Sequence, residues 1–166
     1  MPSWVALKRG ACVVCTDQAI PGRIRTMAEC AERNRREGTA AEGRVWVGPY
    51  DWGSPVDEIM ELGGGAFEVV LASDCLYMPD LHGALLDSIA MLMAPDGVGL
   101  LPFALHGNTA DENVWGVVGL AESKGFTVEV LESAQLTPQC SNMRTERALV
   151  NMLRLSRPVG RHCMKE

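Results

Sequence analysis

The sequence predicts an α/β domain with a doubly wound, largely parallel sheet that finishes in an antiparallel hairpin. Three observations carry this expectation. Short apolar runs alternate with stretches of helical apolar spacing through most of the chain. Near the end the alternation stops, and two strand-like runs at 126–131 and 148–155 follow one another with only loop residues between. The chain is also the right size: 166 residues, 47% hydrophobic and 22% charged, suit one globular domain with its own core. That domain is expected over residues 1–157, with 158–166 as a tail.

Each element has a local reason. Residues 3–9 read as the end of a helix closed by Gly10. The apolar run 11–16 reads as a buried strand that stops at Asp17. Pro21 suits a first helical turn, and Ile24, Met27, Ala28 and Ala31 then recur at helical spacing until Gly38. A short strand at 44–47 leads into an irregular stretch, 48–54, rich in glycine, proline and aromatics. A short helix is expected at 56–62, followed by the flexible turn Gly63, Gly64, Gly65. Residues 67–73 form a near-continuous apolar run, as expected of a parallel strand covered on both faces. Asp80 can cap the next helix, whose apolar face is Leu81, Ala84, Leu85, Ser88, Ile89, Leu92 and Met93. Pro95, Asp96 and Gly97 read as a turn before a strand at 98–104, which Pro102 weakens by removing a ladder donor. Asp111 opens a helix that Gly125 closes, and residues 133–145 read as loop.

Composition narrows the function. The net charge of −6 and a pI near 5.1 repel a polyanion, so nucleic acid is not expected as a partner. The basic cluster Arg33, Asn34, Arg35, Arg36 suits the C-terminal end of a helix dipole. No apolar run reaches the ~18 residues of a membrane span. Lys8 and Arg9 follow the first apolar positions, the wrong order for a secretory signal, so a cytoplasmic location is expected. Cys12 and Cys15 form a lone C-x-x-C without the second pair a zinc site needs. Cys12, Cys15, Cys30, Cys75 and Cys140 mostly lie in apolar segments and are expected to pack as small hydrophobes, while Cys163 falls in the tail.

Ligands of open α/β sheets bind beyond the carboxyl ends of the strands. Asp17 sits directly after a strand, where a carboxylate can accept from two adjacent ribose hydroxyls or cap a helix. Trp52 occupies a Gly- and Pro-rich loop, where its ring can stack on a purine or fold back on the core. Asp74 and Tyr77 flank a strand-to-loop junction at D-x-x-Y spacing. A carboxylate and a phenol there can hold an amine, or serve as cap and packed ring. His106 follows a strand and reads chiefly as a structural histidine, while His82 on a helix and His162 in the tail suggest no site.

Taken in order, Asp17 after its strand, "ECAERN" ending at Asn34, "YDWG" at 50–53, "FEVVLASDCLY" at 67–77 and the late "ALVNMLRL" resemble methyltransferase family 16. This is the protein-lysine methyltransferase branch of the seven-strand fold. The resemblance covers residues 6–155 and implies a Rossmann-like class I methyltransferase sheet using S-adenosylmethionine. It implies that Asp17 binds the cofactor ribose, that Trp52 lies beside the adenine, and that Ser73 and Asp74 contact the cofactor. Asp74 and Tyr77 match the D-x-x-Y element at the mouth of the substrate pocket. The implied acceptor is a protein amine, lysine or N-terminus, on partners such as translation factors and chaperones. A small-molecule N-methyltransferase and a non-catalytic interaction module are the alternatives. The family also places a first strand and a G-x-G-x-G-type loop before the helix that ends at Gly10, and no G-x-G-x-G follows a strand here. On this reading that strand and loop are absent, the strands at 11–16 and 67–73 lose the neighbour between them, and the chain is a fragment or a short form.

Overall fold

The structure, a computed structural model, describes residues 2–37, 43–105, 109–135 and 149–158. The chain forms two compact units, Met1–Ala66 and Phe67–Glu166. Backbone pairing divides the strands into a two-stranded and a four-stranded sheet.

In the first unit, helix α1 (Pro2–Lys8) ends where Gly10 adopts φ 85°, and the Gly10 N–H returns to the Leu7 carbonyl at 2.9 Å. Strand β1 (Val13–Asp17) pairs in parallel with β2 (Val45–Pro49), in register from Val13 opposite Val45 to Asp17 opposite Pro49. Helix α2 (Pro21–Glu37) connects them, and α3 (Asp57–Gly63) follows β2. The core is Trp4, Leu7 and Ala31, with Val13, Cys30, Val45 and Val47 packed on it. Only the later part of α2 reaches this core: Ala28, expected on the apolar face, is exposed. The cause is length, since a helix of 17 residues spans about 25 Å and outruns five-residue strands of about 17 Å. Gly38 lies outside the described residues.

Two glycines in this unit are fixed by geometry. Gly64 takes φ 78° and caps α3, its N–H reaching Glu61 O. Gly48 lies under the indole of Trp46, two residues back on the same strand face, so any Cβ there overlaps the ring.

In the second unit, β3 (Phe67–Leu71) leads through a 3₁₀ turn (Pro79–Leu81) into α4 (His82–Leu92) and β4 (Met93–Phe103). Helices α5 (Asp111–Trp115) and α6 (Val117–Ser123) follow, then β5 (Thr127–Gln135) and β6 (Leu149–Ser156). The strand order is β3-β4-β6-β5, with β3 parallel to β4 and β6 antiparallel to both β4 and β5. This is the expected antiparallel finish, with the last strand inserted between its predecessors. Leu86, Ile89, Leu101, Val117, Leu153 and Leu155 are almost fully buried. Phe103 and Trp115 meet edge to face at 5.2 Å. Gly99 lets α4 settle on the sheet, since a Cβ there would come 3.2 Å from Ile89 Cγ2.

Several local expectations change. Asp80 makes no capping bond; it lies in the 3₁₀ turn, where the His82 N–H is satisfied by the Pro79 carbonyl instead. The buried stripe of α4 is wider than expected and includes His82 and Leu86. Pro95–Gly97 is no turn but part of β4, at a register irregularity against β3. Pro102 lies opposite Met152 of β6 and, although it has no N–H to give, its carbonyl still accepts the Asp74 N–H at 2.7 Å, so the ladder holds at this position. The helix from Asp111 is interrupted at Gly116, which stays right-handed at φ −55°. Residues 133–135, expected as loop, extend β5. The rest of that loop, Cys140, His162 and the tail beyond 158 lie outside the described residues.

The apolar run of β3 is not covered on both faces. Val69 is 49% exposed and Leu71 is 40% exposed, and among the described residues β3 has β4 as its one ladder neighbour. β1 likewise has β2 as its one ladder neighbour among the described residues.

The cysteines also depart from the expected pattern. Cys15 is buried in β1, but Cys12 is exposed because it precedes the strand, and Cys30 and Cys75 are partly covered. Burial pushes the Cys15 thiol above its ordinary pKa; the Ser3 hydroxyl, 3.7 Å away and able to donate to a thiolate, opposes this, and the charge of Asp17 adds to it.

Two outcomes follow for stability. Gly48→Ala should lower unfolding free energy by ~1–3 kcal/mol in urea denaturation, because the Trp46 ring must be displaced. The raised Cys15 pKa means that the neutral thiol is the form the fold prefers. Its contribution is complete below the unfolded thiol pKa and is lost as pH rises through the folded value. Wild-type protein should therefore lose stability from the ordinary thiol range upward relative to Cys15→Ala, measured as midpoint against pH; parallel curves would contradict the assignment.

Candidate functional site

A parallel ladder puts the carboxyl ends of neighbouring strands at the same edge. In the first unit this brings together Asp17, last residue of β1, and the turn that follows β2. The Tyr50 N–H donates to the Asp17 carbonyl at 2.8 Å, which extends the ladder by one bond. The turn is then closed on itself. Tyr50 Oη donates to the Ser54 carbonyl at 3.1 Å, the Ser54 N–H donates to the Asp51 carbonyl at 3.1 Å, and Gly53 takes φ 85°. Trp52 sits at the centre of this turn, half-buried. It is neither folded into the core nor fully in solvent.

The Asp17 carboxylate is half-buried as well. Its Oδ1 accepts the Gln18 N–H at 2.7 Å and Arg23 Nη1 at 3.4 Å, and Arg23 also reaches Gln18 Oε1 at 3.1 Å. Among the described residues, Oδ2 accepts no bond. The Arg23 side chain is 52% exposed and that of Asp17 40%, so this is a surface pair worth ~0–1 kcal/mol. It holds the carboxylate in place without committing it. Arg23 was not legible as a site residue, because an arginine six positions on in a helix is ordinary in sequence.

The second unit presents the D-x-x-Y segment just beyond β3. Ser73, Asp74 and Tyr77 are all exposed, whereas Leu76 between them is 1% exposed. Leu76 thus pins the segment to the core and turns the polar residues outward. Asp74 takes φ 55°, the one left-handed non-glycine conformation among the described residues. That conformation costs roughly 1–2 kcal/mol for most residues and least for Asp and Asn. The Asp74 N–H donates to the Pro102 carbonyl at 2.7 Å, which ties the segment to β4. His82 Nε2 lies 3.0 Å from the Leu76 carbonyl, and Thr109 Oγ1 donates to the Tyr77 carbonyl at 3.1 Å. Nothing in the spacing of His82 or Thr109 distinguishes them in sequence. His106 lies outside the described residues.

Asp17 and Trp52 thus share one strand end of the first unit, and Ser73, Asp74 and Tyr77 share one strand end of the second. Among the described residues, no group of three or more His, Cys, Asp or Glu is arranged to hold a metal ion, and no helix is long and apolar enough to cross a membrane.

Comparison with known proteins gives this geometry a family. Residues 4–114 match the lysine methyltransferase family. A methyltransferase from Pyrococcus furiosus superposes with a TM-score of 0.61 at 16% identity, over 93% of this chain and 68% of that one. Precorrin-6y C5,15-methyltransferase from Geobacter metallireducens gives 0.59 at 11% identity, over 89% of this chain and 67% of that one. The N-methyltransferase NodS from Bradyrhizobium japonicum, solved with S-adenosyl-L-homocysteine, gives 0.52 at 15% identity, over 89% of this chain and 67% of that one. At these identities the structures establish the Rossmann-like methyltransferase fold, and the sequence match establishes the branch: the chain belongs to the lysine methyltransferase family of S-adenosylmethionine-dependent methyltransferases.

Proposed function

We propose that the protein carries methyl groups from S-adenosylmethionine to a protein amine, a lysine side chain or an N-terminus. The observation that carries this reading is the outward presentation of Asp74 and Tyr77, with Tyr77 47% exposed, on a segment otherwise anchored by buried Leu76. Such a pair suits an acceptor that arrives from solvent on the surface of another protein. Translation factors and chaperones are the partner classes the resemblance suggests, and they would place the reaction in the cytoplasm.

The residues present fit the adenosine half of the cofactor. Asp17 has one carboxylate oxygen without a bond among the described residues, available to ribose hydroxyls. Trp52, at the adjoining strand end, offers a ring for adenine. Ser73 and Asp74 are the residues of the second unit that would contact the cofactor. When bound, the cofactor supplies a sulfonium-linked methyl group. The chain's own work is then largely positioning. The Asp74 carboxylate attracts the cationic amine, and Tyr77 orients it. The amine must be neutral to attack, so transfer rises with pH toward the amine's own pKa, ~10 for lysine.

A second reading, a non-catalytic module that keeps the fold, is favoured by one feature. No strand of this chain is followed by a G-x-G-x-G loop, the backbone that would cradle the methionine end.

Calorimetry of the 166-residue chain with S-adenosylmethionine separates the two. Micromolar binding supports the enzyme, and no binding supports the module. Trp52→Ala should weaken that affinity by roughly 5- to 150-fold, the equivalent of ~1–3 kcal/mol of stacking, and Asp17→Ala should weaken it too. Unchanged affinity in both variants would remove the adenosine assignment. For the acceptor, labelled methyl groups from the cofactor should appear in the protein fraction of a cell extract. Asp74→Asn should cut incorporation by about 100-fold or more, while Tyr77→Phe lowers it without changing cofactor affinity. Label confined to the small-molecule fraction would sink the protein-acceptor reading.

A further inference from the structure

We propose that His82 and Thr109 are positioning residues that set the backbone of the D-x-x-Y segment, and through it the aim of Asp74 and Tyr77. The proposal rests on the reading that these two side chains meet the acceptor.

The segment from Ser73 to Tyr77 has an unusual combination of properties. Its functional side chains are exposed, yet its backbone holds a left-handed aspartate at φ 55°. A conformation of this kind persists only where the surroundings over-determine it. Among the described residues, three hydrogen bonds from outside the segment contribute. One comes from β4, where the Pro102 carbonyl accepts the Asp74 N–H at 2.7 Å. The other two come from side chains. His82, 3% exposed at the first position of α4, places Nε2 at 3.0 Å from the Leu76 carbonyl. A carbonyl brings no proton, so Nε2 carries the hydrogen and donates. Thr109, just ahead of α5, donates Oγ1 to the next carbonyl along, that of Tyr77, at 3.1 Å.

Consecutive carbonyls are therefore held from two different elements, one by a buried ring and one by a hydroxyl. The first peptide group joins Leu76 to Tyr77 and the second joins Tyr77 to Met78, so holding both fixes the backbone on either side of the Tyr77 Cα, and Leu76 O also restrains the chain that runs back to Asp74. Neither His82 nor Thr109 needs to touch cofactor or acceptor. Losing either bond leaves a carbonyl free to rotate, and the φ of Asp74 then has less to hold it. The bland alternative is that His82 is simply a core histidine with its hydrogen bond satisfied. That role would stabilise the whole unit and would not single out this segment.

Hydrogen-exchange mass spectrometry on the full chain separates the two. His82→Ala and Thr109→Val should each speed exchange at least about tenfold in peptides covering residues 73–78, with peptides from β4 and β6 unchanged. His82→Gln and Thr109→Ser, which keep a donor, should restore protection. Exchange that stays at the wild-type rate in residues 73–78, or that rises equally across β4 and β6, overturns the proposal. Thr109→Val guards against the case in which His82→Ala fails to fold. A second arm measures methyl transfer to an acceptor peptide. Both donor-free variants should raise the acceptor KM about tenfold. An acceptor KM that stays at the wild-type value in both overturns the positioning role. Wild-type protein that transfers no methyl removes the acceptor reading itself, and the exchange arm still decides whether His82 and Thr109 hold the segment.

Discussion

Parallel pairing of neighbouring strands is the constraint from which the rest of this protein follows. A parallel ladder fixes both direction and register, so whatever follows each strand emerges at the same edge. In the first unit the β1–β2 ladder carries one bond further, from Tyr50 to Asp17, and that bond sets a carboxylate beside an aromatic turn. In the second unit the β3–β4 ladder continues past Leu71 through Ala72 and Asp74, which donate to Leu100 and Pro102. The candidate residues are not gathered by contacts among themselves. They are delivered by strands whose apolar side chains are chosen for the core.

Burial then sorts what the ladders deliver. Leu76 lies 1% exposed between exposed Asp74 and Tyr77, so a single apolar anchor turns its polar neighbours outward. Trp46 and Gly48 show the same economy in β2, where the smallest residue makes room for the largest ring. Helix α4 presses Leu85, Leu86 and Ile89 on the sheet, and Arg157 donates to the Ala90 and Met93 carbonyls where α4 gives way to β4. The ion pair of Lys124 with Asp87 joins α6 to α4 at the surface. Apolar burial thus supplies the stability, and polar bonds fix the joints.

The element order and the antiparallel finish were legible in sequence because they are written in periodicity and in glycine and proline placement. Gly10, Gly64 and Gly125 all take the positive φ that their turn roles require. What was not legible depended on distant neighbours. The apolar run at 67–71 looks two-sidedly buried, and only the folded chain reveals that Val69 and Leu71 are exposed. Pro102 looks disruptive until the bond its carbonyl accepts from the Asp74 N–H is known. Cys12 reads as core, but the strand starts one residue later. Asp17, Trp52, Ser73, Asp74 and Tyr77 were legible as strand-end residues. Arg23, His82 and Thr109 were not, because each acts through a bond to a partner that only the folded chain brings near.

The position of β6 has a consequence for how the protein is made. It is the last strand among the described residues, yet it lies between β4 and β5 in the second sheet. During synthesis β5 has no ladder neighbour among the described residues until β6 has left the ribosome, however long it has been exposed. The unit therefore cannot close from its N-terminal side as the chain emerges. Its nascent form carries β4 and β5 with unpaired edges, open to chaperones and to wrong partners, until the final strand slots between them. Contacts of such long sequence separation also slow folding after release. Closure of this sheet waits on β6, so losing that one strand should cost more than the eight residues it contains.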